Sequence, residues 1–502
     1  MPAAHVDSDL AVRPGWIAVL AVVALALRIV GLDGGLWIDE IYSLLDSFRP
    51  PLAQIVTVFP RDNHHPLYSV LAHLSLAGLG EAAWTIRLPA LLFGVASVPM
   101  LYLLGSAVTT RREALAATAL LAVSYHHIWF SQNARGYTAL AFFTLLSTWF
   151  LLRGLDARRG RHLAGYALAI ALGAYVHLTM VFVAVGHAAV VVARSLVRDP
   201  SGRRGRDGAW PWLAFGLAAL LTLALYAPII AQVQHYFVRQ PTGMKGISTP
   251  SWAASEGIRV LMQGLGAGTG LGAAAVVAAA GLLFVAGVAS YARSAPLALA
   301  LFVAPVFAII AGALVARGTM YPRFFFALIG FGVLLGVRGT TVVARRVARR
   351  LAPDNAGAVG TRIAAVALAT AGALSLASLA FNYRYPKQDF AGARDWIVAH
   401  RSPDEPVATL GAARTPYQRW LAMPWQPVAS EPELAALRAG TERTWVVYTM
   451  PRYLAIGAPE LWQSIRRDCA TERVFRGTVG DGDVVVCTFG KRAAKPPMVE
   501  QR

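Results

Sequence analysis

Two acids stand side by side at Asp39 and Glu40, in the segment Gly35-Leu36-Trp37-Ile38-Asp39-Glu40-Ile41-Tyr42-Ser43, closely after the first apolar run. A hydroxyl oxygen is a weak nucleophile until a carboxylate within hydrogen-bonding reach accepts its proton during attack, and either acid could serve that step. The same pair suits the first turn of a short helix, where carboxylates meet unsatisfied backbone N–H groups. Spacing alone leaves both readings open. Carboxylates beside lipid are costly unless solvated, paired or metal-bound.

Three further segments hold groups suited to an anion. Asn63-His64-His65-Pro66-Leu67-Tyr68 combines donors with a rigid proline, a set that fits a lipid-linked phosphate or pyrophosphate; its two adjacent histidines lack the second spaced pair that a metal site would need. Ser131-Gln132-Asn133-Ala134-Arg135-Gly136-Tyr137 and Tyr321-Pro322-Arg323 each place an arginine on the side where membrane proteins carry few. Guanidinium groups match phosphate oxygens in a two-toothed fork and stay charged, so Arg135 or Arg323 could hold a phosphate; a salt bridge to Asp39 or Glu40 is the structural alternative. Arg28 lies inside the first apolar run, where snorkelling toward the interface is open to it, and His177 follows Tyr175 at a turn, a common place for a structural histidine.

These groups must be carried by membrane helices. The 502 residues are 56% hydrophobic with mean hydropathy +0.51, beyond a soluble domain's usage of roughly 45 to 50%. Runs long enough to cross about 30 Å of hydrocarbon recur at about 16–32, 84–108, 114–129, 138–154, 163–176, 178–194, 210–230, 268–290, 296–316, 323–342 and 363–383, eleven expected spans. The first run has few basic residues before it and no small-residue cleavage site before Trp37, so it reads as a retained helix. Arg111-Arg112, Arg158 to Arg161, Arg203 to Arg206, Arg293, Arg345-Arg346 and Arg349-Arg350 fall in one set of loops, which the positive-inside rule makes cytoplasmic. The other set is outer: 33–83, about 130–137, the turn near 177, 231–267 and 317–322, with the tail after 384. The N-terminus is then expected in the cytoplasm. The net charge of +19 is dispersed through short loops rather than gathered in a basic stripe with interleaved aromatics, which argues against nucleic acid.

The expected organisation is a helical membrane domain over 1–385, with a first outer loop at 33–83, and a C-terminal extracytoplasmic α/β domain over 386–502. Within the loop, Tyr42, Leu45 and Phe48, then Ile55, Val56 and Phe59, fall at helical spacings that predict short interfacial helices. The stretch Pro66 to Gly80 is apolar but short and reads as re-entrant or interfacial. In the tail, helices are expected at about 389–400, 416–421 and 459–469 and strands at 406–410, 444–450, 472–479 and 483–489, with a capping-box start at Ser430 and Glu433. Cys469 and Cys487, the two cysteines, could form one disulfide if the tail lies outside the cytoplasm, or remain free and buried.

Taken together, Leu27-Arg28-Ile29, Leu36 to Glu40, His65-Pro66-Leu67-Tyr68, Arg87-Leu88-Pro89, Gln132 to Tyr137 and Tyr321-Pro322-Arg323 resemble the bacterial family 39 glycosyltransferases. That group is similar to protein O-mannosyltransferases and to the aminoarabinose transferase of lipid A, all of GT-C membrane fold. The resemblance spans about 20–385 and is most specific in the first 140 residues. It implies a polyprenyl-phosphate-sugar donor, inversion at the anomeric carbon, and Asp39 and Glu40 as the motif's two acids, Asp39 being the candidate base. It places His65, Arg135 and Arg323, with Arg28, on the donor phosphate. Tyr42, His64, Tyr68, Gln132, Asn133, Tyr137, His177 and Tyr321 are the candidate substrate contacts. Asn133 stands where relatives commonly carry an acid, and one proline follows His65 where two are usual. A divalent metal at the acids therefore stays open but without support from the sequence, and no other cofactor is expected.

The expected activity is transfer of one sugar to an extracytoplasmic glycan, lipid or protein at a bacterial inner membrane. A pyrophosphate-linked glycan ligase or polymerase, a sugar-lipid transporter or flippase, and a membrane sensor with structural acids are the alternatives. Outer clustering of the polar groups and the lack of repeated discontinuous spans count against transport.

Overall fold

The computed structural model describes residues 14–157, 159–196, 208–239, 250–262, 271–315 and 321–490. Arg158, the basic run Arg203 to Arg206, the start of the expected span at 268–290, and parts of the expected outer loops 231–267 and 317–322 lie outside the described residues. The chain divides into two compact units, one built from 14–32, 50–239 and 250–380, the other from 33–49 and 381–490. The start of the first outer loop goes with the C-terminal unit, a partnership between segments over 300 residues apart that periodicity does not reveal.

The first unit is helical. Among the described residues six helices are long and apolar enough to cross a membrane: Ala83–Val108, Tyr137–Ala157, Ala274–Ser294, Pro296–Val315, Pro322–Leu351 and Pro353–Arg384. The chain is a multi-pass membrane protein. The full set of eleven expected spans is not confirmed: among the described residues six helices meet this length and apolarity, or seven with one bent pair. Three expected spans form the helices Pro14–Ile29, Gly160–Val176 and Met180–Leu196, of 16, 17 and 17 residues. At about 1.5 Å per residue these are roughly 25 Å long, shorter than a 30 Å hydrocarbon core. Pro66–Leu79 is shorter still, a single 14-residue helix.

Two expected spans are interrupted. The stretch 114–129 divides into Arg111–Ala122 and Tyr125–Ser131, with Ser124 capping the second helix through a hydrogen bond from the His127 N–H at 3.4 Å. Ser375, on the helix Ala356–Arg384, accepts from the Tyr125 N–H at 2.8 Å and donates to the Val123 carbonyl at 2.9 Å. The backbone groups released by the break are thereby satisfied away from water, the condition for tolerating one at membrane depth. The stretch 210–230 ends in an 87° bend after Tyr226, where Pro228 supplies no N–H. The amphipathic continuation Ile230–Arg239 lies on the first outer loop: Gln232 accepts from the Phe59 N–H at 2.9 Å and donates to the Thr57 carbonyl at 2.8 Å. Phe59 packs there with Tyr175, Tyr226 and Ile229.

Helices Leu271–Ser294 and Ile329–Leu351 approach backbone to backbone at Gly287 and Gly339, where an added Cβ would overlap the Leu335 or Leu283 carbonyl. This approach suits membrane helices, whose association depends on close packing of small residues.

The second unit carries a five-stranded sheet of order β2-β1-β3-β5-β4: β1 (Val407–Leu410), β2 (Gln426–Val428), β3 (Arg443–Thr449), β4 (Ala470–Phe475) and β5 (Val484–Gly490). β1 lies parallel to β2 and β3, and β5 antiparallel to β3 and β4. Helices Phe390–His400, Glu431–Arg438 and Pro459–Asp468 form as expected, whereas 416–421 is a single π-type turn and β2 and the helix Pro451–Gly457 were not foreseen. Glu433 accepts from the Ala429 N–H and the Ser430 hydroxyl, so the cap is one residue displaced from the expected box. Cys469 and Cys487 are joined in a disulfide that ties the end of Pro459–Asp468 to β5.

Candidate active site

Four segments distant in sequence meet at one end of the first unit. His65 caps the helix Pro66–Leu79, with Pro66 at its first position, and donates from Nδ1 to the Val176 carbonyl at 2.9 Å. The His177 ring lies against His65 with centroids 4.7 Å apart, and the Tyr137 ring is 5.3 Å from His177 and 6.1 Å from His65. Arg135 sets its guanidinium carbon 5.7 Å from the Tyr137 ring, and Arg323 sits over Tyr321 at 4.2 Å. Phe324 closes the set, 6.4 Å from His177 and 5.8 Å from Tyr321.

The helices explain why these groups meet. Tyr137–Ala157 starts at the cluster and ends before Arg159, Gly160–Val176 returns to it, and Met180–Leu196 departs again. Gly136 is required at the crossing: a Cβ there would meet Val176 Cγ1 at 2.5 Å and the Val176 oxygen at 3.0 Å, beside His65 Nδ1 at 3.6 Å.

The cluster is electropositive, with His65 and Arg135 buried and His177 and Arg323 partly so. Burial, with the charge of Arg135, holds His65 well below the usual histidine range. His177 is pushed down to about 3 by burial and by Arg135 and Arg323. Both rings are neutral at physiological pH. Hydrogen bonds set their tautomers: His177 Nδ1 accepts from the Thr179 N–H at 3.2 Å, while the His65 Nδ1–H donates and its Nε2 is left as an acceptor, buried and without a partner among the described residues.

Other candidates have structural positions. Arg28 is fully buried, and its nitrogens donate to Ser131 Oγ at 3.1 Å, the carbonyls of Ala24 at 2.8 Å, Ala122 at 3.0 Å and Leu121 at 3.5 Å, and His127 Nδ1 at 2.7 Å. With its donors directed at protein acceptors, Arg28 ties the first helix to the broken one. These bonds give it a structural part within the first unit. Gln132 donates to the carbonyls of Arg28 and Val30, Tyr68 to that of Ile86, and His64 to that of Ile55 at 3.0 Å. Asn133 is buried at the turn before Arg135. The sequence offered no signal for the Val176 carbonyl or Phe324.

In the second unit, Asp39 and Glu40 open the helix Ile38–Ser43. Glu40 is fully buried, with Oε2 accepting from the Trp37 N–H at 3.3 Å, the helix-start arrangement; Asp39 is partly exposed. Gln388 holds the segment from the tail, accepting from the Ile38 N–H at 2.8 Å and donating to Thr449 at 3.0 Å. Tyr42 accepts from the Thr415 hydroxyl at 3.2 Å, and Asp46 pairs with Arg419 at 2.8 Å. Among the described residues no three His, Cys, Asp or Glu side chains gather as a metal site.

Residues 63–230 match the family described as dolichyl-phosphate-mannose-protein mannosyltransferase. The chain resembles the GT-C glycosyltransferases. That match contains His65, Arg135, Tyr137 and His177. The structure of ArnT from Cupriavidus metallidurans in the apo state is similar at TM-score 0.50 and 16% identity, covering 94% of this chain and 98% of that one. The same protein bound to undecaprenyl phosphate gives 0.49 at 16%, with the same coverage. AglB, the oligosaccharyltransferase of Archaeoglobus fulgidus, in complex with an inhibitory peptide and a dolichol-phosphate, gives 0.49 at 12%, covering 91% and 72%. At these identities the likeness is one of fold. No curated protein matches in sequence.

Proposed function

We propose that this protein transfers a single sugar, with inversion, from a polyprenyl-phosphate carrier to a hydroxyl of an extracytoplasmic glycan, lipid or protein. The observation that carries the reading is the meeting of Arg135 and Arg323 with His65, His177 and the Tyr137, Tyr321 and Phe324 rings at one end of the helical unit. Guanidinium forks suit phosphate oxygens, and aromatic faces suit an apolar carrier or a sugar. The family matched by residues 63–230 takes its description from a sugar carried on a lipid phosphate.

In this mechanism negative charge grows on the phosphate as the anomeric C–O bond breaks. Fixed cations at the site stabilise that charge, an effect worth about 3 to 4 kcal/mol for a single well-placed donor. Asp39 takes the proton of the attacking hydroxyl, an assignment made on the motif and on its partial exposure; Glu40, buried in its cap, holds the segment in shape. Arg111, Arg112, Arg159 and Arg161 stand at helix starts and Arg345 and Arg346 in the last two turns of Ile329–Leu351; the positive-inside rule reads these ends as cytoplasmic, and on that reading the cluster is outside. A disulfide in the second unit accords with an oxidising compartment.

The test is incubation of the purified protein with a panel of radiolabelled polyprenyl-phosphate sugars. Loss of label from one lipid, abolished in Arg135→Gln protein that still folds, is the expected result. Consumption of none of them by folded wild type overturns the reading.

A further inference from the structure

The sugar donor is a phosphodiester and carries one negative charge; the lipid phosphate that departs is a monoester and carries close to two at neutral pH. In the transfer the acceptor hydroxyl gives up a proton, a glycosidic bond forms and the anomeric C–O(P) bond breaks, leaving both electrons of that bond on the phosphate. The site must therefore hold a product more charged than its substrate. Such a group has a specific consequence at His65.

His65 presents an acceptor where an anion would want a donor. Its Nδ1–H is committed to the Val176 carbonyl at 2.9 Å, so in the neutral ring Nε2 carries a lone pair. That atom is buried, lacks a hydrogen-bond partner among the described residues, and belongs to a ring that is 4% exposed. A phosphate oxygen reaching Nε2 would meet lone pair against lone pair. Protonation turns the clash into a charge-assisted N–H···O bond, the stronger kind. Every charged or titratable neighbour other than the ligand works against that proton: Arg135 and His177 from the adjoining segments, and His64 from its own. Tyr137 flanks the ring edge-on, and Arg323 acts on His177 behind it. A second negative charge on the ligand is what offsets them.

We propose that His65 takes up a proton from solvent at Nε2 when a lipid phosphomonoester occupies the cluster, and does so far less for the phosphodiester donor. The inference rests on the phosphate-carrier reading above. Product binding then tightens as pH falls, and product release speeds as pH rises, with affinity changing by up to about tenfold per pH unit below the pKa of the complex and above that of the free ring.

The experiment is calorimetric titration of purified protein with geranylgeranyl monophosphate, and with its methyl phosphodiester, at pH 7.5 in buffers of differing ionisation enthalpy. Wild type should take up a proton with the monoester, approaching one per ligand, and close to none with the diester. His65→Gln, which keeps a donor for the Val176 carbonyl, should bind the monoester without uptake, while His177→Gln should retain it. Thermal melting establishes that each variant is folded; should His65→Gln fail to fold, wild type beside His177→Gln still decides. Monoester binding without uptake in wild type, equal uptake in His65→Gln, or uptake lost only in His177→Gln overturns the role of His65 and leaves the carrier reading standing. No monoester binding at all overturns both.

Discussion

Arg28→Leu separates a structural arginine from a phosphate-binding one. The substitution deletes hydrogen bonds to the Ala122 carbonyl at 3.0 Å and to His127 Nδ1 at 2.7 Å, both inside a fully buried site, together with the bond to Ser131 Oγ at 3.1 Å. Ala24 loses less, because its carbonyl also serves its own helix. An acceptor left buried and unsatisfied costs about 1 to 3 kcal/mol, so the two main losses total roughly 2 to 6. Removing a buried charge returns part of its desolvation cost, which leaves a net destabilisation of about 2 to 4 kcal/mol. Thermal unfolding of the detergent-solubilised protein reads this directly, and binding of a short polyprenyl phosphate to the remaining folded fraction reads the other term. The account predicts a lowered melting temperature with affinity within about threefold of wild type. Arg135→Gln should do the reverse, losing about 10- to 100-fold in affinity for one charge-assisted bond of roughly 1.5 to 3 kcal/mol, with little change in melting. An Arg28→Leu protein that melts like wild type but has lost phosphate affinity refutes the reasoning.

Gly136→Ala should force Val176 away from the crossing and disturb the His65 bond to its carbonyl, lowering turnover at least tenfold while the protein still inserts and folds; kinetics on detergent-solubilised variant and wild type check this. Acidification should destabilise the segment around His64, whose pKa burial pushes down to about 4. Because the folded ring binds its proton less readily than the unfolded one, its stabilisation is complete above about pH 6.5 and is lost as pH falls toward 4, amounting to about 2 kcal/mol at pH 5. Melting from pH 7 to 5 should show this loss, reduced in His64→Gln. Reducing the Cys469–Cys487 disulfide, which closes an 18-residue separation, should destabilise the C-terminal unit by roughly 3 kcal/mol, measured by unfolding with and without reductant.

The grouping of the cluster was legible because charge bias sorts loops into two sets: His65, Arg135, His177 and Tyr321-Arg323 were each placed in one set, and the structure brings them together. The strands of the tail were legible where β-branched runs such as Val484 to Val486 are long enough to show. β2 was not, being three residues with a central Pro427. The structural bonds of Arg28 were not legible because its acceptors at Leu121, Ala122, His127 and Ser131 lie about a hundred residues on, and nothing local distinguishes an arginine that will find them from one that will not. The break at Val123 was hidden for the same reason, since the Ser375 hydroxyl that satisfies it lies 250 residues away. At Glu40 the helix-start arrangement that the motif allowed is present, with one carboxylate oxygen accepting from the Trp37 N–H, and Asp39 is the more accessible acid.

The most direct measurement is the identity of the lipid left behind when purified protein, wild type beside Asp39→Asn, is given a labelled polyprenyl-phosphate sugar and an acceptor extract in proteoliposomes. The account predicts polyprenyl monophosphate and labelled glycoside in equal amounts from wild type, with turnover in folded Asp39→Asn reduced at least a thousandfold. Near-normal turnover in Asp39→Asn, or movement of intact sugar-lipid across the bilayer with no glycosidic bond formed, would contradict it.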